Sequence, residues 1–464
     1  MRFAELEGKR LAVWGFGREG RAALMAVRRR YPELPVTVLC PEGEAAEVAS
    51  LALNGVTVDS TTVDGAKLSA FDVIIKSPGI SPHQDAVKVA KQSGVQFTSG
   101  SQLWFAEHRS ATTVCVTATK GKSTTTSLIA FLLRSLGVRT ALAGNIGLPL
   151  LEVPEDVAPP SVWVIELSSF QAFDAEARPT LAVFNNLLEE HLDWHGSVSQ
   201  YRADKLRLFD GAKTCLINAT DPVLARVPIA DSALRRYLVP EGWHVANGWI
   251  RRGDHPVLPN TALSLPGVHN AENACAALAA VELLGFDALQ AAPALAQFQP
   301  LPHRLHTLGE RDGITYINDS IATTPAAAMA AFRHVREHGA QVAWIIGGHD
   351  RQLDWHDFLG ELSTAPPFGL WCTGTVGARV YAGMNPVTRS ACHAHYAESF
   401  DEAFSQAKQA LLELTSNPSR ILLLSPGAPS FGQFKDYVAR GRRFAELAGF
   451  DAQLISGIGG LGIE

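Results

Sequence analysis

Nowhere do the 464 residues run apolar for long enough to span a bilayer, which excludes a helical membrane domain. The first residues, Met1-Arg-Phe-Ala-Glu-Leu-Glu-Gly-Lys9, are charged from the start and lack the apolar core of a signal peptide. Cysteine is scarce. The six (Cys40, Cys115, Cys215, Cys275, Cys372 and Cys392) are scattered in mostly apolar surroundings, so a disulfide framework is excluded and reduced core thiols in a cytoplasm are expected. Cys392-His-Ala-His395 has no matching second half for a metal patch and reads as a solvated loop. Basic runs are absent, and with a net charge of −6 neither nucleic acid nor a membrane is an expected partner. With 47% apolar and 19% charged residues the chain is globular, and its length calls for roughly three domains.

What is present is organised around Val114-Cys-Val-Thr-Ala-Thr-Lys-Gly-Lys-Ser-Thr-Thr-Thr126. A buried strand stops at Thr117, a small-residue loop follows, and a helix is expected from Ser123 to about Leu136, ended by Gly137. Loop amides and the helix N-terminus would face a phosphate, Lys122 would reach the outer phosphates, and Ser123 or Thr124 would ligate Mg²⁺. The alternative is an ordinary strand-to-helix turn, because the spaced glycine of a P-loop is missing and Val116 holds its place.

Before it, the strand Leu11–Trp14 runs into Gly15-Phe-Gly-Arg-Glu-Gly20, with a helix expected from about Arg21, and a strand at Val36–Cys40 completes a β-α-β unit. The strand from Val73 ends in the tight turn Ser77-Pro-Gly79, where open sheets bind ligands. After the loop, Val162–Ile165 ends at Glu166, the usual place for a Mg²⁺ ligand beside a phosphate loop. Leu181–Phe184 leads to Asn185-Asn-Leu-Leu-Glu-Glu-His-Leu-Asp193, where carboxylates flank His191 as a metal or substrate group. Short strands between 214 and 265, an alanine-rich helix to about Leu284 and a Pro-flanked hinge at Leu301–Arg304 follow. The last third alternates strands (315–318, 342–346, 370–372, 421–424) with helices centred near Met329, Phe358, Ala407 and Phe444. Phe400, Ala403, Phe404, Ala407, Leu411 and Leu412 share one helix face, and the Gly-rich tail from Ser456 is expected to be mobile.

Taken together, Gly144-Asn-Ile-Gly147, Glu166-Leu-Ser-Ser-Phe-Gln171, His269-Asn-x-x-Asn273, Leu301-Pro-His-Arg304, Asn318-Asp-Ser320 and Phe434-Lys-x-Tyr-x-x-Arg-Gly441 resemble the Mur ligases, the ATP-dependent amino-acid-adding enzymes of peptidoglycan synthesis. The likeness is greatest to the branch that joins glutamate to UDP-N-acetylmuramoyl-L-alanine. The loop differs from that family's T-G-T-N-G-K-S/T at Ala118 and Lys120. The resemblance implies an α/β protein of three domains: a Rossmann-like UDP-sugar domain (1–100), a central P-loop ATPase-type domain (101–301) and a Rossmann-like amino-acid domain (302–464). It implies a cytoplasmic monomer acting only on small molecules, with ATP as co-substrate and Mg²⁺ as cofactor. It also implies the site. Gly15, Phe16, Gly17, Arg18, Ser77, Pro78, Gly79 and Asn145 would hold the UDP-sugar. Thr119, Lys120, Gly121, Lys122, Ser123, Thr124, Asn273, Arg304 and Asp319 would hold ATP. Ser123, Glu166, His191 and a carbamylated Lys205 would serve Mg²⁺, with Lys122, Lys205 and His191 catalytic. Ile321, Thr323, Arg351, Ser430, Phe431 and Tyr437 would form the amino-acid pocket.

That pocket departs from the D-glutamate pattern. Ile321 stands where a lysine is usual, Arg351 replaces a second lysine, Gly432 an aspartate and Tyr437 a phenylalanine. An arginine fork and an ammonium are not interchangeable toward a carboxylate, so L-glutamate is expected over D-glutamate. A dehydrogenase would leave the phosphate loop, Glu166 and His191 unexplained, and a non-catalytic nucleotide-binding regulator would not be expected to keep Lys122, Glu166, His191 and Lys205. A folate polyglutamylating enzyme lacks such a first domain, and the D-N-P-R signature of diaminopimelate ligases is absent.

Overall fold

The computed structural model describes all residues except 155–157, 191, 228–232, 266, 300–301, 337–338, 351, 416–418 and 453–459, and the side chains of 192–193. The chain forms two compact units, Met1–Phe298 with Gly460–Glu464, and Gln299–Gly459.

The first unit begins with five parallel strands, β1 (Leu11–Trp14), β2 (Val36–Leu39), β3 (Val56–Asp59), β4 (Val73–Lys76) and β5 (Gln96–Thr98), in the order β3-β2-β1-β4-β5. β1 and β4 are buried at every residue because helices cover both faces, which is why they read as unbroken apolar runs. The order reverses at β1, opening a crevice beyond the carboxyl ends of β1 and β4. A second sheet holds β6 (Thr113–Thr117), β7 (Thr140–Gly144), β8 (Val162–Glu166), β9 (Leu181–Phe184), β10 (Thr214–Asn218) and β11 (Leu234–Tyr237), in the order β11-β10-β9-β6-β8-β7. Here the order reverses at β6, so the loop after Thr117 lies at that switch point. β12 (Trp243–Ala246), β13 (Trp249–Arg252) and β14 (His255–Pro259) make a small antiparallel sheet.

The second unit is one sheet of β15 (His306–Arg311), β16 (Ile314–Asn318), β17 (Gln341–Gly347), β18 (Gly369–Thr373), β19 (Ala394–Ala397) and β20 (Arg420–Leu424), ordered β15-β16-β20-β17-β18-β19 and parallel except for β15. Helices bury separate apolar clusters on its two faces, one around Trp344 and Phe358, the other around Tyr316 and Phe444.

Several sequence expectations need correction. The first long helix is Arg18–Arg30, starting inside the glycine fingerprint because Gly17 already serves as its N-cap. Leu412 is 39% exposed, since the buried stripe of its helix ends at Leu411. Cys392–His395 is no solvated loop: Cys392 is buried and Ala394 begins β19. The tail is ordered at its end, where β21 (Gly462–Ile463) pairs antiparallel with β7 and Arg134 binds the Gly462 carbonyl and the Glu464 carboxylate. The six cysteines are all buried and free. Among the described residues, no helix is long and apolar enough to cross a membrane.

Candidate functional site

The crevice at β1 and β4 is a cavity of about 700 Å³ lined by Gly15, Phe16, Gly17, Arg18, Ser77, Pro78, Gly79 and Asn145 among others. All eight residues expected to hold the UDP-sugar therefore line one space. The Ser77 hydroxyl donates to the Gly15 carbonyl (3.0 Å), which fixes the two turns against each other. Lys76, 2% exposed, donates to the Ile80 carbonyl (2.8 Å) and to Asp174 (2.7 Å), pinning the Ser77–Ile80 turn from beneath. Burial lowers the Lys76 ammonium, and the Asp174 carboxylate opposes that. Two carboxylates also face the cavity. Glu44 accepts from the Phe16 amide (3.1 Å), and Glu19 accepts from Gln171 (2.9 Å). Burial pushes the Glu19 carboxyl up to about 7, although its place in the first turn of a helix would favour the anion.

At the phosphate loop, Gly121 has φ +82°, and a Cβ there would meet the Asn273 amide oxygen at 2.6 Å. The left-handed turn and that close approach both require glycine. It caps the helix Lys122–Ser135, whose N-terminus carries Lys122, Ser123 and Thr124. Lys122 Nζ lies over the carbonyls of Ala118 (3.1 Å) and Thr119 (3.0 Å). Asn273 accepts from Asn185 (3.1 Å) and Thr125 (3.3 Å), locking the loop to β9. Lys120 is mostly exposed and paired with Glu190 (2.7 Å).

Lys205 arrives from the helix Val198–Asp210 and is 2% exposed. Its Nζ donates to the Ala118 carbonyl (2.6 Å) and the Tyr201 hydroxyl (2.9 Å). Burial first, then the charges of Lys122 and Lys120, hold its ammonium well below the usual lysine range; Glu190 and Glu166 pull the other way. Glu166, 1% exposed, accepts from Asn145 (2.6 Å) through Oε1. Lys122, Asn273, Glu166 and Lys205 thus surround one loop. His191 lies outside the described residues.

In the second unit, Asp319 is buried and accepts from the Leu305 amide (3.0 Å) and the Ser425 hydroxyl (2.7 Å). Burial raises its carboxyl to about 6 against these hydrogen bonds and the charge of Arg304. Ile321 and Thr323 follow on the same strand-end loop and are half-buried. Ser430 is buried, Phe431 is 51% exposed, and the Tyr437 carbonyl accepts from Ser320 (2.8 Å). Arg351 lies outside the described residues.

Comparison with known proteins fits this geometry. Residues 116–236 match the Mur ligase middle domain, and residues 303–426 match the Mur ligase glutamate ligase domain. The chain is 48% identical, over 100% of both sequences, to the UDP-N-acetylmuramoyl-L-alanine--L-glutamate ligase of Xanthomonas campestris pv. campestris strain 8004. It is 38% identical to the enzyme of that name in a Micromonospora species, over 96% of this chain and 98% of that one. The chain belongs to the Mur ligases. UDP-N-acetylmuramate-alanine ligase MurC of Thermotoga maritima superposes on this Mur ligase with a TM-score of 0.58 at 18% identity, covering 95% of this chain and 99% of that one. MurF of the same organism, solved with ADP, gives 0.54 at 14% identity over 92% and 96%. These two likenesses establish the three-domain α/β fold, and family membership makes the chain an ATP-dependent, ADP-forming ligase.

Whether its residues fit Mg²⁺ can be tested on Glu166. Its Oε2 is buried with no hydrogen-bond partner, a costly state for a carboxylate oxygen unless a cation completes it. The donor set fits. Other site features escaped the sequence reading. Asn186 Oδ1 accepts from the Thr119 (3.1 Å) and Lys120 (2.8 Å) amides and so shapes the loop. Arg440, 2% exposed, binds Ser320, the Gly347 carbonyl and the Ala428 carbonyl, gathering the three strand-end loops of the second unit. Its only signal was the arginine in Phe434-Lys-x-Tyr-x-x-Arg-Gly441.

Proposed function

We propose that this Mur ligase joins L-glutamate to UDP-N-acetylmuramoyl-L-alanine, with residues 1–100 holding the sugar nucleotide, 101–301 ATP and 302–464 the amino acid. The muramoyl-alanine carboxylate attacks the γ-phosphorus of ATP, the bond to ADP breaks, and an acyl phosphate forms. The glutamate amine then attacks the acyl carbon, phosphate leaves and the amine loses a proton. Two anions must meet in the first step, so the site has to neutralise their repulsion. Lys122 does so at the β- and γ-phosphates, and Mg²⁺, held by Ser123, Glu166 and His191, would supply the same neutralisation on the phosphate oxygens. The family motifs assign Asn273, Arg304 and Asp319 to the nucleotide, and Thr323, Ser430 and Arg351 to glutamate.

The observation that carries this reading is Lys205, a buried lysine set against the phosphate loop, whose Nζ donates to the Ala118 carbonyl and the Tyr201 hydroxyl. A second ammonium beside Lys122 in a dry site is unfavourable. Addition of CO₂ to the free amine, with loss of one proton, turns that position into a carboxylate-like oxygen donor. The choice of L-glutamate follows the names of the full-length relatives and the loss of a lysine at Ile321. Phosphate release from ATP with UDP-N-acetylmuramoyl-L-alanine and each glutamate enantiomer at matched concentration tests it. L-glutamate should be strongly preferred. Preference for D-glutamate would overturn the stereochemistry, and release with neither would overturn the ligase.

A further inference from the structure

Three segments carry the groups assigned to Mg²⁺: the stretch after β8 with Glu166, the stretch ending in the short helix Leu192–His195 with His191, and the helix Val198–Asp210 with Lys205. One side-chain network joins all three. Ser169, three residues past Glu166, lies 3.1 Å from His195 Nε2. His195, four residues past His191, lies 2.7 Å through Nδ1 from Asp204 Oδ2. Asp204 immediately precedes Lys205. A carboxylate only accepts, so His195 carries its proton on Nδ1, and Nε2 accepts from the Ser169 hydroxyl. Asp204 takes two further donors, Gln200 on Oδ1 (2.6 Å) and His83 Nε2 on Oδ2 (3.1 Å). His83 follows the Ser77-Pro-Gly79 turn of the sugar-nucleotide cavity, so the network also reaches that sheet.

His195 and Asp204 are 2% and 1% exposed respectively, and His195 is boxed by Phe170, Trp194 and Tyr201 with ring separations of 4.4 to 5.6 Å. Hydrogen bonds in so dry a box are strong and their loss is costly. Two imidazoles and a carboxylate could instead be metal ligands, and their donor atoms all lie within 4.8 Å. The separations decide against it. Ligands about 2.0–2.1 Å from a tetrahedral zinc stand roughly 3.3 Å apart, whereas 2.7 Å is hydrogen-bond contact.

We infer that Ser169, His195, Asp204 and His83 are positioning residues that set the mutual placement of the segments bearing Glu166 and Lys205 and of the helix Leu192–His195. This rests on the Mg²⁺ roles given under the proposed function. The network acts on these segments through their backbone, so the roughly 10–100-fold change in metal affinity typical of groups bonded directly to metal ligands is the upper bound of its effect.

The test is Mn²⁺ binding in the presence of ATP, followed by electron paramagnetic resonance, with carbamate on Lys205 read by ¹³C NMR in labelled bicarbonate. The variants are Asp204→Asn, His195→Asn (whose amide keeps only the Nδ1 donor) and His83→Ala, at a partly exposed position where truncation leaves no buried cavity. Asp204→Asn should weaken Mn²⁺ at least tenfold and reduce the carbamate signal. His195→Asn should retain more affinity than His195→Ala, and His83→Ala should lose a few-fold. Variants with lowered Tm but wild-type Mn²⁺ affinity and carbamate would overturn the inference, as would stoichiometric zinc in the wild type that His83→Ala loses. A wild type that binds no Mn²⁺ with ATP would instead overturn the ligase site itself.

Discussion

At the scale of single residues, the site is a set of charges whose ordinary states have been overruled by burial. Lys205 is the sharpest case, because on the proposed carbamate role removing its side chain takes away an oxygen donor to Mg²⁺. Lys205→Ala should be nearly inactive and partly rescued by a short carboxylic acid, measured as phosphate release with and without acetate or propionate. Rescue by an alkylamine would mean that the amine itself acts. Glu19 makes a second case, in the cavity proposed for the sugar nucleotide. Its carboxyl titrates near 7, raised chiefly by burial, with Glu152 adding to the rise and Arg18 and Gln171 opposing it. Below that pH it is neutral and can donate. Above it, an anion faces the diphosphate. The dianionic diphosphate of the ligand binds better to the protonated form, so affinity for UDP-N-acetylmuramoyl-L-alanine should fall as pH rises through 7, by at most about tenfold per pH unit for one proton. Calorimetric titrations from pH 6 to 8.5 should show this slope in the wild type and a flat line in Glu19→Gln. An equal slope in both would clear Glu19 of the effect.

At the scale of elements, loops at strand ends do the work and buried side chains hold them still. In the second unit, a Cβ on Gly441 would run into the His303 ring, while the Gly441 carbonyl accepts from Asn318 (3.0 Å). Burial drops His303 to about 4, so it stays neutral and its Nδ1 accepts from Asn318 (3.1 Å). Gly441→Ala should therefore cost about 1–3 kcal/mol by overpacking, read from chemical denaturation of the whole chain. A cost under about 0.5 kcal/mol would show that the helix shifts freely. The same contrast explains what could be read from sequence. Central strands such as β1, β8 and β9 are buried on both faces and announce themselves as apolar runs bounded by turns. Edge strands do not. β11 is Leu-Arg-Arg-Tyr, β15 contains Gly309, and β21 is a Gly-Ile pair that is a strand only because β7 offers an edge. Phosphate-loop residues were legible because their chemistry is local. His83 and Asp204 are 121 positions apart, and nothing in either neighbourhood announces the bond.

At the scale of the molecule, the two units own separate cores. One cluster holding Leu11, Trp104 and Tyr201 belongs to Met1–Phe298, and those around Trp344 and Tyr316 to Gln299–Gly459. The cavity proposed for the sugar nucleotide is lined by the first unit alone. A ligand that binds only the folded form stabilises it by RT ln(1 + [L]/Kd), about 2.7 kcal/mol at a hundredfold excess over Kd. UDP-N-acetylmuramoyl-L-alanine without ATP or glutamate should therefore act on one unit and not directly on the other. Differential scanning calorimetry should resolve two transitions, of which the sugar nucleotide raises one by several degrees and leaves the other in place. Arg134 offers an independent label, because it ties β21 to the first unit through Gly462 and Glu464. Arg134→Ala should lower the same transition that the sugar nucleotide raises. If one cooperative transition moved as a whole in both experiments, the units would be unfolding together, and separate cores would not mean separate stabilities.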